Sequence, residues 1–195
     1  MKKSIFILLF LFSTSMMFGQ THSEDVEAFQ NKMNQDFLNP EESPLSPKQI
    51  KKFNGHDFFP IDENYKIVAK FDKAEDAVPF SMKTTTDRLP LYKIYGTATF
   101  EIEGKTYTLN IYQSEKITPG YENHLFFPFT DLTNGEETYT GGRYIDLTIP
   151  EGNSIIIDFN KAYNPYCAYS GNYSCPIPPK ENDLNTEIKA GIKYF

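Results

Sequence analysis

The sequence predicts a mainly β fold: a single antiparallel sandwich or barrel-like domain with an N-terminal helix and a long, ordered C-terminal loop. Three observations carry this. From Tyr65 onward apolar and polar residues alternate with period two, the pattern of half-buried strands. Tight-turn sequences such as Glu103-Gly104 and Glu151-Gly152-Asn153 separate the runs, and no strand–helix–strand alternation follows residue 60. Last, residues 158–182 mix tyrosine, proline and asparagine with no period, yet their aromatics argue for order, because disordered chains are poor in them.

Each element follows in order. Lys2 and Lys3 precede an apolar run over 4–18 that closes on Gly19-Gln20. That is the pattern of a secretory signal peptide, and a run of about 15 residues is shorter than the roughly 20 needed to span a membrane. Residues 1–20 are therefore expected to be a signal peptide and residues 21–195 one exported domain, periplasmic or secreted, with no stable membrane insertion after cleavage. Residues 24–39 read as a helix, with Val26, Phe29, Met33 and Phe37 near a 3.6-residue spacing, Ser23 as its cap and Pro40 as its stop. Ser46 caps a second, short helix that begins on Pro47 and stops at Asn54-Gly55. Strands are expected over 65–72, 80–86, 91–102, 105–112, 125–129 and 154–159; the 138–149 segment contains Gly141-Gly142 and then a strand through Ile145, Leu147 and Ile149, and the 91–102 and 105–112 pair forms a hairpin on Glu103-Gly104.

Composition excludes several classes of function. The net charge of −7 falls to −9 without Lys2 and Lys3, and no basic stripe interrupts it, so nucleic acid is not an expected partner. His22, His56 and His124 lie far apart and form no spaced metal-ligand pair, and Cys167 and Cys175 fit no zinc motif. No phosphate-binding glycine loop and no nucleophile elbow is present, so no metal and no cofactor is expected. His56 adjoins Asp57, but neighbours in an extended segment point to opposite sides. Export permits a disulfide between Cys167 and Cys175, and closing a loop of roughly ten residues would stabilise the fold by about 2–3 kcal/mol.

Chemistry concentrates near the C-terminus. Glu137, Tyr139, Arg143 and Asp146 crowd one turn and strand, and Asp158, Asn160, Tyr163 and Asn164 close the next; Tyr169 and Asn182 lie farther along the loop. One reading is a pocket between residues 137–146 and 158–182 for a small ligand, anionic if the planar guanidinium of Arg143 faces it. A second is a hydrolase-like enzyme using Asp158 or Glu137 as a base beside Arg143 and a tyrosine. A third is a structural or protein-interaction domain. Internal pairing of Arg143 with Asp158 or Glu137, holding the loop to the sheet, is compatible with the first.

The ordered motifs in this half are distinctive. They run Phe129, Asp131, Gly135, Glu137-Thr138-Tyr139 and Gly141-Gly142-Arg143-Tyr144. Asp158-Phe159-Asn160, Ala162-Tyr163-Asn164-Pro165 and Cys167-Ala168-Tyr169 follow. The series ends with Cys175-Pro176, Pro178-Pro179, Glu181-Asn182, Leu184 and Ala190-Gly191. Together with Ser43-Pro44-Leu45-Ser46-Pro47 and Phe58-Phe59-Pro60-Ile61-Asp62 they resemble the DUF1684 family of bacterial and archaeal proteins over roughly residues 25–192. The resemblance implies that the Arg143 strand and the 158–182 loop form one shared feature, and it implies no particular reaction. Where the family closes on Ala-Gly-Glu, this chain has Ile192 after Gly191, so no role passes to a terminal acid.

Overall fold

A computed structural model describes residues 20–194. Helix α1, His22–Leu38, begins slightly earlier than its periodicity suggests. Thr21, not Ser23, caps it: the Glu24 N–H donates to the Thr21 hydroxyl at 3.3 Å, and the Thr21 N–H donates to the Glu24 carboxylate at 2.7 Å. Helix α2, Pro47–Ile50, is capped by Ser46 as expected.

Eight strands form one sheet: β1 Lys66–Lys73, β2 Phe80–Ser81, β3 Leu91–Ile102, β4 Lys105–Ser114, β5 His124–Asp131, β6 Arg143–Thr148, β7 Ser154–Asp158 and β8 Asp183–Leu184. The main path runs β6-β5-β4-β3-β1-β7 and is antiparallel throughout; β2 pairs with β3, and β8 lies parallel to β5. The sheet curls into a half-barrel that brings β6 and β7 toward one another.

One expected strand is shorter than its periodicity. The 80–86 run stops at Ser81, because the buried Thr84 hydroxyl donates to the Arg88 carbonyl at 2.6 Å and turns the chain. In the 138–149 segment the strand begins at Arg143, after Gly141-Gly142 as expected. Gly142 holds a φ of +84°, and a Cβ there would lie 2.6 Å from the Phe129 carbonyl oxygen, so only glycine fits this close approach.

Strand alternation sorts the aromatics onto two faces. Phe71, Phe100, Phe127, Phe129, Ile145 and Ile157 fill the concave interior, joined by Phe159 and, from the C-terminal segment, Ile188 and Ala190. Met82, Tyr112, Phe126 and Tyr144 form a second cluster on the outside of the sheet. A third cluster, Phe37, Leu45 and Tyr169, joins α1 to the loop.

Helix α1 is pinned at both ends over the outer face. At its start His22 Nε2 lies 2.8 Å from Asp158 Oδ2, and Lys161 reaches Asp25 at 2.6 Å. Near its end Asn34 Oδ1 accepts both the His56 backbone N–H at 2.9 Å and the ring Nδ1–H at 2.8 Å. His56 is boxed by Phe37, Phe53 and Tyr169, and burial holds its pKa down to about 4. Asp57 faces away toward Lys193, so the adjacent pair does not act together.

Candidate functional site

The site follows from the pairing of β5 with β6. Phe126 lies opposite Asp146, Pro128 opposite Tyr144 and His124 opposite Thr148. Because Arg143, Ile145 and Leu147 point into the half-barrel, Tyr144 and Asp146 must point out, beside Phe126 and His124. The loop after β7 closes over this row. Tyr163 and Tyr144 exchange two backbone hydrogen bonds, each 2.9 Å, so the loop docks like a further strand on the β6 margin. The Tyr144 hydroxyl then donates to the Pro176 carbonyl and fixes the returning end of the loop.

Helix α1 provides the roof, with Phe29, Met33 and Phe37, and β3 contributes Tyr92. Between roof and sheet lies a cavity of about 500 Å³ whose far wall is Tyr166, Tyr173, Ser174 and Cys175. Its walls meet edge to face. Phe126 and Tyr144 stand 4.7 Å apart at 76°, Tyr144 and Tyr163 at 89°, and Tyr166 and Tyr173 at 69°. At one side His124 Nε2 lies 2.8 Å, and the Tyr163 hydroxyl 2.9 Å, from the same Asp146 Oδ1. A carboxylate only accepts, so both groups donate to it and the His124 proton sits on Nε2. Burial, reinforced by the Asp146 charge, raises the Tyr163 phenol well above its ordinary pKa, so it stays protonated as the donor. Burial raises the Tyr92 phenol as well. Across the cavity Lys32 is bound to Asp36 of its own helix.

Arg143, the residue around which the sequence places a pocket, is on the opposite face of β6. Its side chain is fully buried, and Nη2 donates to Asp131 Oδ2 at 2.8 Å, in place of the expected pairing with Asp158 or Glu137. The guanidinium also donates to the carbonyls of Ile188 at 2.8 Å, Ala190 at 2.5 Å and Ile192 at 3.3 Å, and lies 5.3 Å from the Phe129 ring centre. It clamps the C-terminal segment rather than the 158–182 loop. Desolvation lowers its pKa, and Asp131 opposes that shift.

The other sequence candidates separate by place. Tyr163 and Asn164 line the cavity. Asp158 is engaged by His22 and by the Asn160 side chain at 2.9 Å, and Asn160 bridges to the Asp62 backbone at 2.9 Å in both directions. Asn182 is fully buried and bonds the Asn110 and Pro128 backbones at 2.8–2.9 Å. Glu137 is exposed beside Lys189 at 3.5 Å. Tyr139 stacks on Tyr194, and burial pushes its phenol up to about 12. Tyr169 packs edge-on against Phe37 at 4.7 Å. Asp158, Glu137 and Arg143 therefore converge on no common cleft, which removes the geometry that the hydrolase reading requires. Among the described residues no group of three or more His, Cys, Asp or Glu side chains is placed to hold a metal, and no helix is long and apolar enough to cross a membrane.

The model of the family described as "Protein of unknown function (DUF1684)" matches residues 51–193. The chain belongs to the DUF1684 family. Among solved structures it is similar to the solution structure of an uncharacterised protein of Haloarcula marismortui, with a TM-score of 0.70 and 32% identity, covering 88% of this chain and 93% of that one. No curated protein matches it. Within this DUF1684 chain the family match begins after α1, so the roof of the cavity lies outside it and the floor and loop lie within it.

The disulfide expected in this part of the DUF1684 sequence is not formed. Both cysteines are free thiols, and Cys175 Sγ instead accepts the Cys167 backbone N–H at 3.1 Å. Burial pushes the Cys175 thiol up to about 12. Sequence reasoning also passed over His124, Phe126, Tyr92 and the inward stripe of α1. The available signal was the alternation Arg143-Tyr144-Ile145-Asp146, which puts Asp146 and Arg143 on different sides of one strand.

Proposed function

We propose that this chain is an exported binding module whose small ligand occupies the aromatic cavity between the outer face of β6, the loop after β7 and α1. One observation carries the reading: a concave space of about 500 Å³, walled by aromatic rings and supplied with a few fixed polar groups, Asp146 foremost. Small-molecule sites have this size and this mixture of apolar wall and sparse polar anchors. An anionic ligand loses its basis, because the guanidinium that would recognise it is enclosed with Asp131.

Neutral fragments test the reading independently of ligand charge. Indole titrated into ¹⁵N-labelled protein is expected to shift the amide signals of Tyr163, Asn164 and Ser174. Met33→Trp, which fills the cavity from the roof, is expected to abolish those shifts. Shifts scattered over the surface, or binding unaffected by Met33→Trp, would refute it.

The leader-like residues 1–20 support export, and the closeness of Cys175 Sγ to the Cys167 backbone supports their pairing once the chain reaches an oxidising compartment. The pair would form by exchange with the disulfide of an extracytoplasmic oxidoreductase, which leaves as two thiols while the new S–S bond forms. Protein recovered from that compartment and denatured without reductant is expected to show no titratable thiol. A free thiol there would dismiss the disulfide and leave the cavity reading standing.

A further inference from the structure

The cavity's polar inventory is lopsided. Its hydrogen-bond donors are largely engaged: the Tyr144 hydroxyl by the Pro176 carbonyl, the Tyr163 hydroxyl and His124 Nε2 by Asp146 Oδ1, and the Lys32 ammonium by Asp36. The hydroxyl-bearing Tyr92, Tyr166 and Tyr173 line the space as well, and among the charged groups there the acceptor not paired with Lys32 is Asp146. Asp146 has 53% of its side chain exposed, and its second oxygen, Oδ2, takes part in neither of these bonds. Aromatic rings line the cavity on several sides, and the face of an aromatic ring carries the negative part of its quadrupole.

Charge points the same way. Among the lining side chains two carboxylates, Asp36 and Asp146, stand against one ammonium, Lys32, and the whole chain carries a formal −7. Arg143, which could have reversed the sign, faces the other side of the sheet. A neutral polar ligand would bring Asp146 no counter-charge, and an anion would meet the Asp146 carboxylate while the lining ammonium, Lys32, is already paired with Asp36. An ammonium carrying alkyl groups satisfies both features at once, because its methyl or methylene surface suits aromatic walls and its charge suits their faces and the carboxylate.

Resting on the cavity reading above, we propose that the ligand is a small organic cation, an alkylated or quaternary ammonium compound, received by the Phe126, Tyr144 and Tyr163 rings with Asp146 as counter-ion. Lipid-derived and free metabolite cations share this chemistry.

The test compares choline with 3,3-dimethyl-1-butanol, which has the same shape with carbon in place of the charged nitrogen. Both are titrated into the full chain lacking residues 1–20 and followed at the Tyr163, Asn164 and Ser174 amides. Choline is expected to bind about tenfold or more tightly than the alcohol, as a desolvated cation–π contact implies. Asp146→Asn is expected to weaken choline severalfold and leave the alcohol unchanged. Equal affinities for the two would overturn the cation inference. Absence of choline binding would overturn it too. In either case the indole experiment still decides separately whether the cavity binds anything. If Asp146→Asn perturbs the fold, the wild-type ratio alone settles the matter.

Discussion

Arg143 and Asp146 stand three positions apart on one strand and are treated oppositely by the fold. The arginine faces the interior, where Asp131 and three carbonyl oxygens of the C-terminal segment surround its guanidinium. The aspartate faces outward, takes two donors on one oxygen, stays half exposed and lines a cavity. A buried charge whose two terminal nitrogens are bonded by the chain serves the fold, even though Arg143 Nε finds no hydrogen-bond partner. A charge with unfilled bonding capacity beside a concave space is available to something else. Charge and position along the chain do not separate the two, whereas the side of the strand does.

The largest effect expected from this contrast is at the closed end. Arg143→Ala leaves Asp131 as an uncompensated buried charge and strips the carbonyls at 188, 190 and 192 of their donor, so about 3–5 kcal/mol of stability should be lost. Denaturant unfolding measures it, and a loss of less than about 1 kcal/mol would break the comparison. A smaller effect belongs to a second enclosed group. Burial holds the His56 pKa at about 4, against an ordinary value of 6.5, so the unfolded chain takes up a proton more readily than the folded one between those values. Its contribution to stability is therefore intact above pH 6.5 and declines as pH falls toward 4. Melting temperature should drop by several degrees across that window, and His56→Phe should flatten that part of the profile; a variant with the same slope as the wild type would exonerate His56. The smallest effect is on the open side. Asp146→Asn should change stability by no more than about 0.5 kcal/mol, as expected of a half-exposed group, while altering what the cavity accepts. A large loss of stability there would blur the contrast from the other direction.

Much of the architecture was legible because it is local. The hairpin of β3 and β4 follows from alternation on either side of Glu103-Gly104, and α2 follows from Ser46-Pro47. The ion pair of Arg143 was not legible, because Asp131 reaches it through the cross-strand neighbourhood of β5 and β6, and spacing along the chain says nothing about that. Asp158, Asn160 and Asn182 looked like ligand contacts for a related reason. An irregular segment must satisfy its own backbone and its neighbours', and polar side chains that do so have the same composition as those that hold a ligand. Asn182 shows the cost of that ambiguity: it completes the hydrogen bonding of β4 and β5 and does not line the aromatic cavity. The cavity itself combines a helix from the start of the chain with a loop from its end, a juxtaposition that periodicity cannot reveal.

The reciprocal backbone bonds between Tyr144 and Tyr163 have a bearing beyond the site they frame. β6 terminates the sheet on that side, and an unpaired terminal strand invites a strand from another molecule to graft onto it. By occupying that margin at Tyr144, the loop acts as a guard against self-association. Lesions that detach it would cost solubility along with whatever the protein holds.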